Sequence, residues 1–382
     1  MALQTDALTQ VLLKYYQRDF PIVSRPFQEI AKSFDNADRF SKLDRFSYSE
    51  NEVLTKLIEL KSHDVLTRIG PIFDHKRAGA SLLAAVSVPH EKLNEVAEKI
   101  NGFAEVNHNY GREHRYNLWF VVTAPNKLHL DQTLSDMEIM TGYPILRLPM
   151  VKAYYIDLGF QVSHEKLMPK KPIPSPDFSE AETEAETEAE DSEPVDLLCE
   201  IDQHRLRVLI QDGLPLLEQP FKVLADSLGF ATEQQVMNSL KSWLKSGLVK
   251  RIGLVTNHHQ LGYTSNAMVV WDVPDHLIDK AGEQIKQSGL VSLCYQRERS
   301  LSEWRYNLYC MIHSRDRVNV LEQVTKLNGL ANLASMPSET LFTVRQYKQK
   351  GGLYSVEQKP KTSSIPEQNA YQNSNTKQAG MM

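Results

Sequence analysis

The chain has 382 residues, 41% of them hydrophobic and 24% charged, which is the balance of a soluble globular protein with room for roughly two to four domains. Apolar runs such as 82–88 and 267–271 are too short to cross a bilayer, and Asp6 and Lys14 interrupt the N-terminal apolar stretch, which excludes a secretory signal. The three cysteines, Cys199, Cys294 and Cys310, form no close metal-type pair, which excludes a disulfide scaffold and a cysteine zinc site and indicates a reducing cytoplasm. The net charge of −5 is concentrated: nine acidic residues and no basic ones lie between Asp177 and Glu193, and subtracting those nine negative charges leaves +4. The remainder is mildly basic and suits an anionic partner.

Residues 1–80 read as a winged helix-turn-helix. A helix opens at Pro26-Phe27, an insertion covers 35–47, and a second helix leads into Arg68-Ile69-Gly70. Residues 81–166 read as βαββαβ, with strands near 81–88, 103–110, 116–123 and 144–156 and helices near 91–100 and 128–140. Residues 167–196 are proline-rich and then acidic, with almost nothing to bury, and read as a flexible linker.

Residues 197–263 repeat the winged helix-turn-helix. One helix runs from Pro220 to Leu228, Gly229 breaks it, and Thr232 caps a second helix bearing Val236, Leu240, Trp243 and Leu244. Gly247 ends that helix, and a strand pair is expected from residue 248 onward. Residues 264–350 repeat βαββαβ, with strands near 265–273, 291–296, 306–312 and 339–346 and helices near 276–287 and 318–327. Residues 351–382 are polar and aperiodic and read as a disordered tail.

The halves share Arg68-Ile69-Gly70 with Arg251-Ile252-Gly253, Gly79 with Gly262, and Arg115-Tyr116-Asn117-Leu118 with Arg305-Tyr306-Asn307-Leu308, in the same order. This is an internal duplication. The expected fold class is α+β: a tandem of winged helix-turn-helix plus ferredoxin-like βαββαβ units, each with both helices on one sheet face. The other face is free to pair with a second sheet or hold a ligand. The two halves are expected to pair as an intramolecular pseudo-dimer.

A helix-turn-helix raises DNA binding first. The second helix of the first half carries Glu50, Glu52 and Glu59 against Lys56 and Lys61; that of the second half offers Glu233, Gln234, Gln235 and Asn238 with Lys241 and Lys245. Neither is the basic surface that phosphate contact requires, so DNA is a disfavoured partner. The unusual stretch is 106–119, which crowds His108, Tyr110, Arg112, His114, Arg115 and Tyr116 onto one hairpin. Strand alternation places Val106, His108 and Tyr110 on one face, with His114 across the hairpin from them. Such a set suits an anionic substrate that needs a proton, although polarity at a surface turn would also account for it. In the second half Tyr295, Arg297, Arg305 and Asn307 keep their counterparts, while Leu293 and Trp304 stand where His108 and His114 do. Both halves are expected to contact the ligand, and only the first to perform chemistry.

The strings RIGPIFDHKRAGAS, EVNHNYGREHRYNLWFVVTAP and YIDLGF resemble the D-type subunit of siroheme decarboxylase. RIGLVTNHHQLGY, NAMVVWDVPD, LCYQRERSLSEWRYNLYCMIHSRDR and FTVRQYKQKGGLY resemble its L-type partner. The whole is similar to a fused D–L siroheme decarboxylase, a family related in architecture to Lrp/AsnC-type regulators. The insertion at 35–47 and the long acidic linker depart from the compact family pattern.

The resemblance implies removal of two acetate carboxyl groups of siroheme to give didecarboxysiroheme, on the way to heme d1 or, by another route, protoheme. It implies His108 and His114 as catalytic proton donors and Tyr110, Arg112, Arg115, Asn117, Arg297 and Arg305 as substrate-binding residues. It further implies an axial ligand to the substrate iron among His258 and His259, with His75 in the matching region of the first half. No cofactor is expected beyond the iron-containing tetrapyrrole substrate, because the macrocycle can act as its own electron sink. Sister subunits of the G and H type are possible partners. The competing readings are an Lrp/AsnC-type regulator sensing a tetrapyrrole and a tetrapyrrole-binding assembly protein.

Overall fold

The computed structural model describes residues 6–34, 47–156, 196–257 and 260–352. Nearly all of the insertion, the acidic linker and the C-terminal tail, together with His258 and His259, lie outside the described residues.

The first half begins with α1 (Ala7–Tyr15), α2 (Pro26–Ser33), α3 (Glu50–Ser62), β1 (Leu66–Phe73) and the short α4 (His75–Ala78). It continues with β2 (Ala80–Val86), α5 (Leu93–Asn101), β3 (Val106–Arg112), β4 (Leu118–Ala124), α6 (Lys127–Thr141), β5 (Leu146–Leu148) and β6 (Met150–Ile156). The second half runs α7 (Glu200–Ile210), α8 (Pro220–Leu228), α9 (Glu233–Lys245), β7 (Val249–Thr256), β8 (Ser265–Trp271), α10 (Ile278–Ser288), β9 (Leu293–Arg297), β10 (Leu308–Ser314), α11 (Arg317–Leu330) and β11 (Ser338–Gln349).

Local chemistry accounts for the helix-turn-helix boundaries. Pro26 and Pro220 open α2 and α8, where a missing N–H costs nothing. Ser49 with Glu52 and Thr232 with Gln235 form reciprocal capping boxes on α3 and α9. The two helix-turn-helix units share one core, in which Leu12, Phe27 and Leu57 join Phe221, Leu240 and Trp243.

The strand pair expected after each helix-turn-helix forms differently. Each half supplies one strand, and β1 pairs antiparallel with β7, Gly70 opposite Gly253. The reason is local: beyond Phe73 the Asp74 N–H is taken by Leu248 O and the chain turns into α4, so no second strand can fold back.

The remaining strands form a single sheet in the order β5-β2-β4-β3-β11-β8-β10-β9-β6. Each βαββαβ unit lends its last strand to the other half. β6 pairs with β9, and β11 leaves β8 to pair with β3. Only Pro149 separates β5 from β6, so the two ends of the sheet meet there and the sheet curls round an enclosed space. Alternation along β4 sends Leu118, Phe120 and Val122 to the helix-covered core and Trp119 and Val121 to the inner face; β10 does the same with Leu308, Cys310 and Ile312 against Tyr309 and Met311.

The crossing of β6 into the second half depends on a missing side chain. A Cβ at Gly282 on α10 would stand 2.6 Å from Tyr154 Cγ on β6, and Tyr154 OH donates to Asp279 Oδ1 at 2.7 Å. Gly282→Ala is therefore expected to lower stability by about 1–3 kcal/mol through overpacking, despite alanine's better helix propensity, and a chemical melt measures it. A melt at or above the wild-type midpoint would show that Tyr154 yields freely.

Candidate functional site

The curled sheet and the β1–β7 pair enclose a cavity of about 340 Å³, the scale of a small-molecule site. Arg68, Arg112, Lys250, Arg297 and Lys350 line it, and no aspartate or glutamate does so among the described residues. Trp119, Met268, Leu293 and Met311 supply apolar wall.

His108 reaches this wall because of a bulge. Val106 pairs with Val122 but His108 pairs with Val121, so two residues on β3 oppose one on β4. Val106 thereby joins the helix-side core, while His108, Tyr110 and Arg112 point into the cavity. The expectation that Val106 shares a face with His108 is corrected by this extra residue. Asn109 between them turns outward and donates to Ala97 O at 3.3 Å and Asn101 Oδ1 at 2.9 Å.

Several buried polar atoms in the wall have no hydrogen-bond partner among the described residues. They include His108 Nδ1, Asn107 Oδ1, Arg112 Nε, Arg297 Nε and Gln349 Oε1. Such atoms are costly unless a ligand satisfies them. Burial, reinforced by the Arg68 charge, pushes the His108 imidazole down to about 4, so with these neighbours alone it is neutral at neutral pH. Burial also lowers Arg112 to about 10 and raises Tyr110 and Tyr295 to about 12.

The two arginines sit in pseudo-symmetric places and each crosses to the other half. Arg112 Nη1 donates to Leu341 O at 2.9 Å, and Arg297 Nη1 donates to Leu148 O at 2.8 Å. Arg112 lies 5.7 Å from the Tyr110 ring centre and Arg297 lies 5.4 Å from that of Tyr295.

Other predicted residues fall elsewhere. Arg115 is exposed and paired with Glu303 at 3.1 Å; Arg305 is exposed and paired with Asp272 at 2.7 Å. Their acids lie far off in sequence, so nothing local announced the pairing. Asn117 receives the Val88 N–H at 3.0 Å and donates to Val88 O at 2.7 Å, and Asn307 does the same to Val273 at 2.9 Å each way. These asparagines lock the loop that follows the first strand of each βαββαβ unit, which is why the motif recurs.

His114 is not brought to His108. It lies beyond Arg112, which ends β3 about 13 Å along the strand from His108 at ~3.3 Å per residue, and is not a cavity-lining residue. Its Nδ1 accepts the Tyr116 N–H at 2.9 Å and its ring meets Trp304 edge-on at 5.3 Å, so burial at the seam between halves lowers its pKa.

Two lining residues, Arg68 and His313, lie outside the set expected from the sequence. Arg68 stands in the repeated Arg-Ile-Gly motif, and His313 follows Tyr309 and Met311 at inward-facing spacing, with Nδ1 2.9 Å from Ser292 Oγ. Among the described residues no group of three histidine, cysteine or acidic side chains could hold a metal ion. The side chain of His75 is not described.

Comparison with known proteins places this architecture. The profile for the AsnC-like ligand binding domain matches residues 78–154 and 260–348, and that for the siroheme decarboxylase NirDL-like HTH domain matches 204–249. The siroheme decarboxylase NirDL subunit of Paracoccus denitrificans is 33% identical over 346 residues, 91% of this chain and 97% of that protein. The chain belongs to the siroheme decarboxylase family. The NirD subunit of Stutzerimonas stutzeri, another member, is 46% identical over 155 residues, 41% of this chain and 94% of its own. A crystal structure of the siroheme decarboxylase NirDL in co-complex with an iron-uroporphyrin III analogue superposes with a TM-score of 0.60 at 25% identity, covering 91% of this chain and 95% of that one. Arg115→Ala is expected to leave stability within about 1 kcal/mol of wild type, as befits a surface ion pair. A chemical melt checks this, and a loss of several kcal/mol would make the Glu303 pair structural.

Proposed function

We propose that this chain is a carboxy-lyase that takes siroheme as substrate and removes carboxyl groups from two of its acetate side chains. The observation that carries this reading is the cavity wall: five cations, no acid, and unpartnered polar atoms on His108, Arg112 and Arg297. A polycarboxylate fits that wall through charge-assisted hydrogen bonds, and the aromatic and aliphatic faces suit a macrocycle.

In each step the bond between the acetate methylene and its carboxylate breaks, carbon dioxide leaves, and the electron pair passes into the conjugated ring. A proton then adds to the methylene carbon, giving a methyl group. His108 is the proton donor, with Arg112 and Arg297 holding carboxylates that do not react. The substrate's negative charges raise the imidazole pKa from its low value, so His108 acquires its proton in the complex. It is reloaded from solvent between steps. The macrocycle delocalises the electron pair, so the step requires no group beyond the substrate.

His114, being distant, contributes by holding the seam at Trp304. The strand exchange between β6, β9, β11 and β3 makes the two halves an intramolecular pseudo-dimer in this reading. No described helix is long and apolar enough to cross a membrane. A regulator is disfavoured by the helices that would face DNA. Lys56 on α3 is held by Asp6 and Glu59, and Gln235 and Asn238 on α9 are tied to Asp196. Incubation with siroheme under anaerobic conditions, followed by mass spectrometry of the pigment, tests the proposal. Loss of two carbon dioxide units supports it; a bound, unchanged pigment together with salt-resistant DNA retention would favour the regulator.

A further inference from the structure

Arg68 is a half-buried cation that the proposed chemistry leaves unused. It rides on β1, outside the nine-stranded sheet, opposite Val255 of β7, and lines the cavity. Its recorded hydrogen bond, from Nη1 to Pro71 O, is long at 3.4 Å. The end of β11 closes over it: a Cβ added at Gly351 would stand 3.3 Å from Arg68 Nη2 and 2.9 Å from Gln211 O. Burial lowers Arg68 to about 10, with Asp212 opposing the shift from outside the cavity wall.

The duplicated motif supplies an internal comparison. Arg251, the counterpart of Arg68, is not a lining residue; its guanidinium donates to Gln17 O and, at 3.5 Å, to Leu254 O. The counterpart of His108 is Leu293. An arginine and a histidine therefore meet at one corner in the first half only, close enough for the Arg68 charge to act on the imidazole.

We propose that Arg68 is a substrate-binding residue, delivered by the helix-turn-helix layer, that grips a porphyrin carboxylate flanking the one that reacts at His108. This rests on the lyase reading above. A carboxylate that stays on the macrocycle can be held tightly without stabilising the bond that must break, so the grip positions the neighbouring acetate. The cavity wall that carries His108 also carries Arg68 on β1, Tyr110 on its own strand, Lys350 beyond β11 and Lys250 on β7, the last paired with Asp74 at 3.0 Å, and Asp212 acts on Arg68 from outside the wall. The Arg68 charge opposes protonation of His108, so a carboxylate on Arg68 removes that repulsion and favours the protonated imidazole. Substrate arrival and loading of the acid are thereby coupled.

The test uses the full chain with two independent readings. Absorbance titration with iron-uroporphyrin III, an octacarboxylate, compares wild type with Arg68→Gln, Arg68→Lys and Arg251→Gln. Arg68→Gln is expected to weaken binding about 10- to 100-fold, the range for losing a charge-assisted hydrogen bond, with partial recovery in Arg68→Lys and a smaller effect in Arg251→Gln. In ligand-free protein, nitrogen-labelled histidine spectra should show the His108 midpoint rising in Arg68→Gln and staying low in Arg68→Lys, which a merely structural role would not produce. Arg68→Gln binding as wild type, or losing no more than Arg251→Gln, would overturn the proposal. Failure of Arg68→Gln to fold leaves the decision with Arg68→Lys, whose binding and His108 midpoint must both stay nearer wild type than to a protein with no cation. Wild-type protein that binds the probe through Arg68 but leaves siroheme unchanged would sink the lyase reading and leave Arg68 as a binding residue.

Discussion

His108→Ala is expected to slow decarboxylation at least about 100-fold, the usual worth of a positioned acid, while siroheme remains bound. The cavity keeps its five cations in this variant, so affinity persists and the loss falls on the chemical step. Single-turnover pigment analysis separates the two: bound siroheme that stays intact is the expected signature. A wild-type rate would remove His108 from the reaction. The same imidazole has a stability signature. Its folded pKa of about 4 lies below its unfolded value near 6.5, so below pH ~6.5 the unfolded chain binds more protons than the native one. Stability of the ligand-free protein therefore falls as pH drops from ~6.5 towards 4, and His108→Ala should flatten that part of the curve. An unchanged slope would show that the imidazole is already protonated in the ligand-free protein.

Arg112→Met is expected to separate stability from function. Arg112 is 5% exposed, and among the described residues its Nε lacks a partner and no acid lines the cavity it faces. A buried cation without a counter-charge costs folding energy, so an apolar side chain of similar length should leave the ligand-free melting temperature at or above wild type. Porphyrin binding should weaken by about 2–5 kcal/mol, on the order of 30- to several-thousand-fold, the range for truncating one partner of a buried charge pair. Calorimetry with and without iron-uroporphyrin III measures both. Unchanged affinity would remove Arg112 from the carboxylate clamp, and a marked loss of apo stability would make it a structural residue tied to Leu341.

The fold was legible where patterning is local. Apolar spacing, the Pro26 and Pro220 helix starts and the Thr232 cap indicate the helices, and the repeated motifs indicate two related units. What periodicity does not carry is register and partnership. The bulge before His108 flips Val106 to the opposite face, and only the observed pairing with β4 reveals it. β1 and β7 come from segments far apart in sequence, so an expected wing within each half became one pair across them. The crowding of His, Arg and Tyr on the 106–119 hairpin suits an anion, but it does not disclose which arginine meets an acid from elsewhere: Arg115 finds Glu303 only after folding. The recurring Asn117 and Asn307 looked functional, yet they recur because the same loop needs the same lock in both halves. Arg68 was legible as part of a repeat, but its separation from Arg251 in role depends on which guanidinium faces the cavity.

The most direct measurement is a single anaerobic turnover of siroheme in deuterium oxide, comparing wild type with His108→Ala by mass spectrometry of the pigment. Wild type is expected to release two carbon dioxide units and gain one deuterium in each new methyl group, while His108→Ala retains intact, bound siroheme. Unchanged siroheme on the wild-type chain, or equal turnover by His108→Ala, would contradict it.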